Sequence, residues 1–221
     1  MGVENLKKDD YKYQGMRKQL VEELREKGIT DEPVLKAILE VPRHFFSDNA
    51  FDVHLHMDKA FRIACGQTIS HPYTVAYQST LLQVKKGEKV LEVGTGSGYQ
   101  TCILLHLGAK VFSIERQKPL FQKAKNLLLD ELGYSVKLFY GDGYKGLPSF
   151  APFDKIIVTA GAPFIPEPLI HQLKEGGIMV IPVGEGEEQV MTILIKGSDN
   201  QYEKIELDKF KFVPLLRNKV K

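Results

Sequence analysis

Several features that define other protein classes are scarce in this chain. Its 221 residues include only two cysteines, Cys65 and Cys102, which are too few for a disulfide-stabilised scaffold and favour a reducing compartment. An excess of charge of one sign is also missing, because 30 Lys and Arg face 28 Asp and Glu. A strong polyanion binder normally has a large basic excess, so we expect no nucleic-acid partner.

Long hydrophobic runs are missing as well. The longest apolar stretches, around residues 89–93 and 178–183, are far too short to cross a bilayer, and the first thirteen residues lack the apolar segment of a secretory signal. We therefore expect a cytoplasmic protein with no membrane partner. With 43% hydrophobic and 26% charged residues, the composition is that of an ordinary globular protein able to bury a substantial core.

Two hydrophobic patterns divide the chain near residue 85. Before it, apolar residues such as Leu20, Val21 and Leu24 recur at helical spacing, and another helix is expected to begin near Pro72. After it, short β-branched runs alternate with helical ones, which predicts an α/β fold with a doubly wound, mostly parallel sheet. The expected strands cover residues 89–93, 110–114, 136–140, 155–159 and 178–183, and the expected helices cover residues 99–107, 119–132 and 167–174.

The alternation ends near residue 189. Residues 189–196 and 202–213 are strand-like, and the turn-forming sequence Gly197-Ser198-Asp199-Asn200 joins them, which predicts a C-terminal antiparallel strand pair. The basic residues Arg217, Lys219 and Lys221 are expected to form a solvated tail. We predict a single domain over residues 1–221, composed of a helical N-terminal extension (1–84), a nucleoside-binding core (85–188) and the strand pair (189–221).

The most informative segment is the glycine loop after the first core strand. Gly94, Gly96 and Gly98 stand at alternate positions, which lets the backbone turn tightly and lie close to a ligand. The loop precedes an expected helix, whose N-terminal amides favour an anionic group. Its spacing, G-x-G-x-G, differs from the G-x-G-x-x-G dinucleotide fingerprint. A turn that only packs a helix on the sheet is the simpler alternative.

Two acidic residues end the next two strands. Glu115 is placed to accept hydrogen bonds from two ribose hydroxyls, and Asp142, between Gly141 and Gly143, can reach an adenine amino group. Either acid alone is more often simply solvated. Together with the glycine loop, at three successive strand ends, they favour a ligand that contains a nucleoside.

This spacing resembles that of the Rossmann-like methyltransferases that depend on S-adenosylmethionine. Within that class, Gly-Gln-Thr-Ile-Ser-His-Pro at residues 66–72 and Val-Leu-Glu-Val-Gly-Thr-Gly-Ser-Gly at residues 90–98 are similar to the protein-L-isoaspartate O-methyltransferase family. Residues 41–43, 153–160, 176–184 and 212–215 extend the resemblance to nearly the whole chain. The glycine loop is shared by many methyltransferases, and the segment at residues 66–72 is the family-specific part.

The resemblance implies a Rossmann-like fold and methyl transfer from S-adenosylmethionine to the free α-carboxylate of an L-isoaspartyl residue in a damaged protein or peptide. S-adenosylhomocysteine is the product, and the ester starts repair by closing to a succinimide. Ser70 is implied to contact the reacting carboxyl group, with Thr68 and Ile69 beside it. The implied cofactor-binding residues are Gly94, Thr95, Gly96, Glu115, Gly141 and Asp142. We expect a monomer.

A serine hydroxyl suits the methylation of a carboxylate. A carboxylate with a pKa of about 4 is already ionised at neutral pH, so its methylation needs no general base. A hydroxyl can orient such a carboxylate without neutralising it. The alternative is that Ser70 merely caps the helix that begins near Pro72.

The role of Arg43, a possible metal site and the rival functions are the remaining questions. Arg43 either has a structural role or contacts a substrate carboxylate. His54 and His56, expected on one face of a strand, lack the carboxylate or thiol pattern that would complete a coordination set, so we expect no metal site. A nicotinamide-dependent oxidoreductase, an RNA methyltransferase and a catalytically silent nucleoside-binding module are the rival functions.

Overall fold

The fold was determined from a computed structural model that describes residues 8–47, 53–198 and 201–220. Six α-helices and nine β-strands lie within those residues. The helices are α1 (Tyr11–Glu26), α2 (Glu32–Glu40), α3 (Pro72–Leu82), α4 (Tyr99–His106), α5 (Lys118–Lys125) and α6 (Glu167–Gln172). The strands are β1 (Phe61–Arg62), β2 (Thr68–Ile69), β3 (Lys89–Val93), β4 (Lys110–Glu115), β5 (Lys137–Tyr140), β6 (Phe153–Val158), β7 (Leu173–Val183), β8 (Gln189–Lys196) and β9 (Tyr202–Phe210).

Seven strands form one sheet in the order β5-β4-β3-β6-β7-β8-β9. The first five strands in that order are parallel, whereas β8 runs antiparallel to β7 and β9 antiparallel to β8. This confirms the doubly wound, mostly parallel sheet with a C-terminal antiparallel pair. The strand order reverses at β3, so the loop after β3 lies at the switch point where open parallel sheets bind their ligands.

The largest differences between expected and observed element boundaries are in α5, β7 and β9. The helix expected over 119–132 ends at Lys125 and continues as a π-helical turn. Strand β7 begins at Leu173, five residues early, because Leu173 pairs with Phe153 of β6, and this also ends α6 sooner. Strand β9 ends before residue 213, since the Phe212 amide donates to the Gln189 side chain instead of continuing the ladder.

The N-terminal helices pack against α3 and α4 around one apolar cluster that includes Leu24, Ile38 and Phe46. Between α2 and α3 the described chain has little regular structure, with the two-residue strands β1 and β2 paired antiparallel. His54 and His56 lie there in a 3₁₀ turn, so the strand expected for them is wrong. In the described part of the chain, every helix is too short or too polar to span a bilayer.

Candidate active site

A cleft opens at the carboxyl ends of β3, β4 and β6. Its empty volume, counted together with the open solvent at its mouth, is about 740 Å³. Its lining includes the acceptor segment, which we define as Thr68, Ile69 and Ser70, and the glycine loop. Further lining comes from residues 115–116, 159–160 and 213–216. Seven of the nine predicted site residues therefore meet at one cleft: Thr68, Ile69, Ser70, Gly94, Thr95, Gly96 and Glu115.

The glycine loop has a conformation that side chains would disrupt. Gly94 has φ +100°, and a Cβ there would lie 2.5 Å from Thr159 Oγ1. That hydroxyl donates to the Gly94 carbonyl at 2.7 Å, which ties the loop to the end of β6. Gly96 also has a positive φ, +54°, but a Cβ there would meet nothing within 4 Å. The loop thus leaves open space at Gly96 for a ligand to approach the backbone.

Glu115 supports the loop from the end of β4. One carboxylate oxygen accepts from the Gly96 amide at 2.9 Å, and the other accepts from the Gln117 amide at 2.8 Å. The residue is 5% exposed and lines the cleft. A carboxylate has about four lone-pair sites, so two hydroxyl groups of a ligand can still donate to it.

A buried polar network lies behind the loop. Thr95 and Ser113 share a hydroxyl–hydroxyl bond of 2.6 Å, and Thr101 Oγ1 donates to Glu92 Oε2 at 2.5 Å. Glu92 is fully buried, and this burial raises the pKa of its carboxyl group to about 7. The nearby hydroxyls of Ser113 and Thr101 lower that pKa, and the nearby Glu115 raises it further.

The acceptor segment presents Ser70 at the cleft wall. Ser70 is half-buried and Ile69 is buried. His71 is the N-cap of α3, and the carboxylate of Asp58 accepts from the Tyr73 amide at 2.7 Å. The alternative that Ser70 only caps this helix is therefore wrong.

Arg43 has a structural position. It is 0% exposed, and its guanidinium donates to the carbonyls of Leu55, Lys59 and Ser70. Its Nε and Nη2 donate only to the main chain and the residue is sealed from solvent, which favours the structural role over contact with a substrate carboxylate. Its Nη1 is buried with no hydrogen-bond partner among the described residues.

Gly141 and Asp142 lie outside the set of residues that line the cleft. The Asp142 carboxylate accepts from the Tyr144 amide at 3.0 Å and from the Asn218 amide at 3.0 Å. The Gly141 amide donates to the Glu115 carbonyl at 2.9 Å. Asp142 thus binds the C-terminal segment of the chain, a partner that strand-end spacing did not predict.

Arg217 and Lys219 are exposed, as expected for a solvated tail, but the segment that carries them is held against the fold. Val220 forms a parallel bridge with Gln117, and the Arg217 guanidinium lies 5.1 Å from the centroid of the Tyr144 ring. Lys219 Nζ lies 5.1 Å from the centroid of the Tyr140 ring. Lys221 lies outside the described residues. The sequence did not predict these contacts, because basic residues give no sign of the aromatic rings that they approach.

Sequence reasoning missed several lining residues. Arg116, Thr159 and Val75 line the cleft, as do residues 213–216. Arg116 directly follows Glu115, and Thr159 ends the strand next to β3, so the rule that sites lie at strand ends could have found both. Residues 213–215 follow β9 and reach the cleft by pairing with Gly161. No sequence signal indicates that pairing.

Comparison with known proteins identifies the family. A family model described as protein-L-isoaspartate(D-aspartate) O-methyltransferase matches residues 15–220. The chain belongs to this family. A protein-L-isoaspartate O-methyltransferase from Christiangramia forsetii is 60% identical over 213 residues, which is 96% of this chain and 99% of the relative. One from Flavobacterium johnsoniae is 58% identical over the same shares of both chains.

Solved structures agree with the assignment. One protein-L-isoaspartate O-methyltransferase has a TM-score of 0.82 and 29% identity over 91% of this chain, which spans 66% of that longer chain. Another, from Plasmodium falciparum in complex with S-adenosyl-L-homocysteine, has a TM-score of 0.79 and 28% identity over 91% of this chain and 99% of its own. The predicted Rossmann-like methyltransferase fold is confirmed.

Family membership also confirms the predicted activity class. The chain is an S-adenosylmethionine-dependent protein-L-isoaspartate O-methyltransferase, and its substrates are isoaspartyl residues of proteins. Membership of this family favours this activity over the three rival functions, which are an oxidoreductase, an RNA methyltransferase and a silent binding module.

Proposed function

We propose that this cleft methylates the free α-carboxylate of L-isoaspartyl residues and that Ser70 is the catalytic residue that contacts it. The observation that carries the proposal is that the acceptor segment and the glycine loop line one cleft. A peptide carboxylate at Ser70 would then face a cofactor held at the loop.

The cofactor end of the cleft suits S-adenosylmethionine. We assign the amino-acid end of the cofactor to Gly94, Thr95 and Gly96, where the bare loop backbone leaves open space at Gly96. The buried Glu115 carboxylate retains the lone pairs needed for two ribose hydroxyls. We assign Gly141 and Asp142 to the adenine end, where Asp142 accepts one amide hydrogen on each oxygen and has further acceptor capacity.

The residues around the acceptor need only orient it. When bound, S-adenosylmethionine supplies a methyl group attached to a positively charged sulfur. A carboxylate oxygen can accept this methyl group without any proton transfer. The described residues lining the cleft include no His, Lys or Cys, and an ionised carboxylate needs none of them as a base. Ser70 can donate one hydrogen bond to the carboxylate and fix its direction. Holding both reactants in line can lower a barrier by roughly 7–11 kcal/mol in total, and this hydrogen bond supplies one part of it.

We further propose that the enzyme acts as a cytoplasmic monomer without nucleic-acid partners. Two free cysteines, one exposed and one buried, suit a reducing compartment. The net charge of +2 gives no general attraction to polyanions. The single-domain division at residues 84 and 188 remains a prediction. Sedimentation of the purified chain would test the monomer, and a mass of about twice 25.0 kDa would contradict it.

The role of Ser70 is tested by Ser70→Ala. A hydrogen bond to a charged group contributes roughly 1.5–3 kcal/mol, so we expect kcat/KM for an isoaspartyl peptide to fall by about 10- to 100-fold. Affinity for S-adenosylhomocysteine should stay the same, because Ser70 belongs to the acceptor segment and not to the residues assigned to the cofactor. Ser149→Ala, at an exposed serine outside the cleft, is the matched control. Undiminished turnover in a folded Ser70→Ala enzyme would remove Ser70 from the mechanism.

A further inference from the structure

Arg43 binds the acceptor segment through its main chain. The Arg43 Nε donates to the Leu55 carbonyl at 2.9 Å. The Nη2 donates to the Ser70 carbonyl at 2.6 Å and to the Lys59 carbonyl at 3.3 Å. Three carbonyls from the chain between α2 and α3 thus share one guanidinium.

The same guanidinium contacts the cofactor half of the site. Its central carbon lies 4.8 Å from the centroid of the Tyr99 ring, within the range of a cation–π contact. Tyr99 is the first residue of α4 and directly follows Gly98 of the glycine loop. Its ring also packs edge-on against Phe46, which belongs to the same 3₁₀ turn as Arg43. One side chain therefore joins the acceptor segment to the helix that follows the loop.

The segment held by Arg43 has little other support from regular structure. Strands β1 and β2 pair over only two residues each, Phe61 with Ile69 and Arg62 with Thr68. An apolar side chain at position 43 would avoid the cost of burying a charge, but it could not bind three carbonyls. The planar fork of an arginine can donate to several acceptors in fixed directions, which a lysine cannot do.

We propose that Arg43 is a positioning residue for methyl transfer. By holding the Ser70 carbonyl in place beside Tyr99, it fixes the direction of the Ser70 hydroxyl and so the position of the acceptor carboxylate relative to the glycine loop. This rests on the role proposed above for Ser70. Arg43 itself touches neither substrate nor cofactor. In-line transfer is sensitive to placement, since a misplacement of about 1 Å can reduce the rate by about 100-fold.

Arg17 offers a matched control. It is a second buried arginine, 3% exposed, and its Nε donates to the Leu39 carbonyl at 2.7 Å. Its other nitrogens bind the Asp9 carboxylate at 2.7 Å. Both partners lie outside the acceptor segment. Arg17→Lys therefore perturbs a buried guanidinium without touching Ser70.

The experiment compares Arg43→Lys with Arg17→Lys in the full chain. We measure kcat and KM for an isoaspartyl peptide, the dissociation constant of S-adenosylhomocysteine, and the thermal midpoint. We expect Arg43→Lys to lower kcat by about 10- to 100-fold while the dissociation constant changes less than about twofold. Arg17→Lys should lower the midpoint but keep kcat within about twofold. Arg43→Gln, which keeps an amide donor, replaces Arg43→Lys if the latter does not fold.

A double-mutant cycle separates positioning from general stability. If Arg43 acts through Ser70, adding Arg43→Lys to Ser70→Ala should lower kcat little further. Fully additive losses, a normal kcat in folded Arg43→Lys, or an equal kcat loss in Arg17→Lys would each overturn the proposal. A wild-type enzyme that leaves the isoaspartyl peptide unmethylated would instead refute the proposed function. An active wild type with an impaired Ser70→Ala and a normal Arg43→Lys refutes only the role of Arg43.

Discussion

Glu92 is a carboxyl group in the interior of the sheet, two residues before the glycine loop. Only one of its oxygens accepts a hydrogen bond from the described residues, from Thr101, while the other is buried without a partner. Burial raises the pKa of Glu92 from 4.5 to about 7, so the folded protein keeps this proton over a pH range in which the unfolded chain has lost it. Stability therefore depends on pH at this residue.

The pH dependence has a definite sign. Below pH 4.5 both states hold the proton, and Glu92 costs nothing through ionisation. As pH rises from 4.5 to about 7, Glu92 ionises in the unfolded chain but not in the folded one, so the free energy of unfolding falls. Above the folded pKa it falls no further. Glu92→Gln cannot ionise and should lack this decline, which is on the order of 3 kcal/mol.

Urea unfolding between pH 4 and 8 would measure this difference. The free energy of unfolding of Glu92→Gln minus that of wild type should become more positive as pH rises. Glu175→Gln, at an exposed position of β7, is the control and should follow wild type. Parallel curves for wild type and Glu92→Gln would show that the Glu92 proton is not retained on folding.

At the scale of elements, the strand–loop–helix unit from β3 to α4 depends on a close approach to β6. Thr159 Oγ1 donates to the carbonyls of Val93 and Gly94. A methyl group at Gly94 would occupy the place of that hydroxyl. The loop therefore depends on Gly94 both for its positive φ and for the bond to Thr159.

Gly94→Ala should cost more stability than Gly176→Ala. Gly176 also has a positive φ, +72°, but open space surrounds its Cβ position, so only backbone strain of roughly 1–2 kcal/mol applies. Gly94→Ala has the same backbone strain, and it also displaces Thr159 and breaks the hydrogen bonds that Thr159 donates to the Val93 and Gly94 carbonyls. Urea unfolding of both variants checks this, and equal losses of free energy would mean that the contact with Thr159 is unimportant. Affinity for S-adenosylhomocysteine should fall only in Gly94→Ala.

The sequence predicts a helix or strand correctly where the hydrophobic pattern of that segment alone determines its bounds. Strand β3 was predicted with its observed bounds because its apolar run is short and is ended by the loop glycine. The early start of β7 depends on pairing with Phe153, and the role of Arg43 depends on which carbonyls surround it. Distant partners of this kind leave no local signal, so these features could not be predicted.

At the scale of the whole molecule, both ends of the described chain contribute to the cleft. The acceptor segment comes from the N-terminal region, and residues 213–216 come from the C-terminal region. Beyond them the chain runs along the ends of β4 and β5. The Val220 amide donates to the Arg116 carbonyl at 2.8 Å, and the Arg116 Nε donates to the Asn218 carbonyl at 2.9 Å. The C-terminal segment thus braces Arg116 and Asp142 beside the proposed cofactor site.

Ending the chain at Leu216 should therefore weaken cofactor binding. The truncation removes the hydrogen bond from the Asn218 amide to Asp142 and the three hydrogen bonds that join Arg116 to Arg217, Asn218 and Val220. We expect the dissociation constant of S-adenosylhomocysteine, measured by calorimetry, to rise about tenfold, since such bonds contribute about 1 kcal/mol each. Lys219→Ala leaves the main-chain bonds in place and should stay within about twofold of wild type. Unchanged affinity in the truncated enzyme would deny the segment this role.

One measurement tests the central claim most directly: the transfer of labelled methyl groups from S-adenosylmethionine to two synthetic peptides that differ at a single residue. One peptide carries L-isoaspartate and the other normal L-aspartate, and RNA is included as a third acceptor. A site that positions one misplaced carboxylate at Ser70 should label the isoaspartyl peptide as a methyl ester and leave its isomer and the RNA unlabelled. Equal labelling of both peptides, or label in RNA with an unlabelled isoaspartyl peptide, would contradict the account.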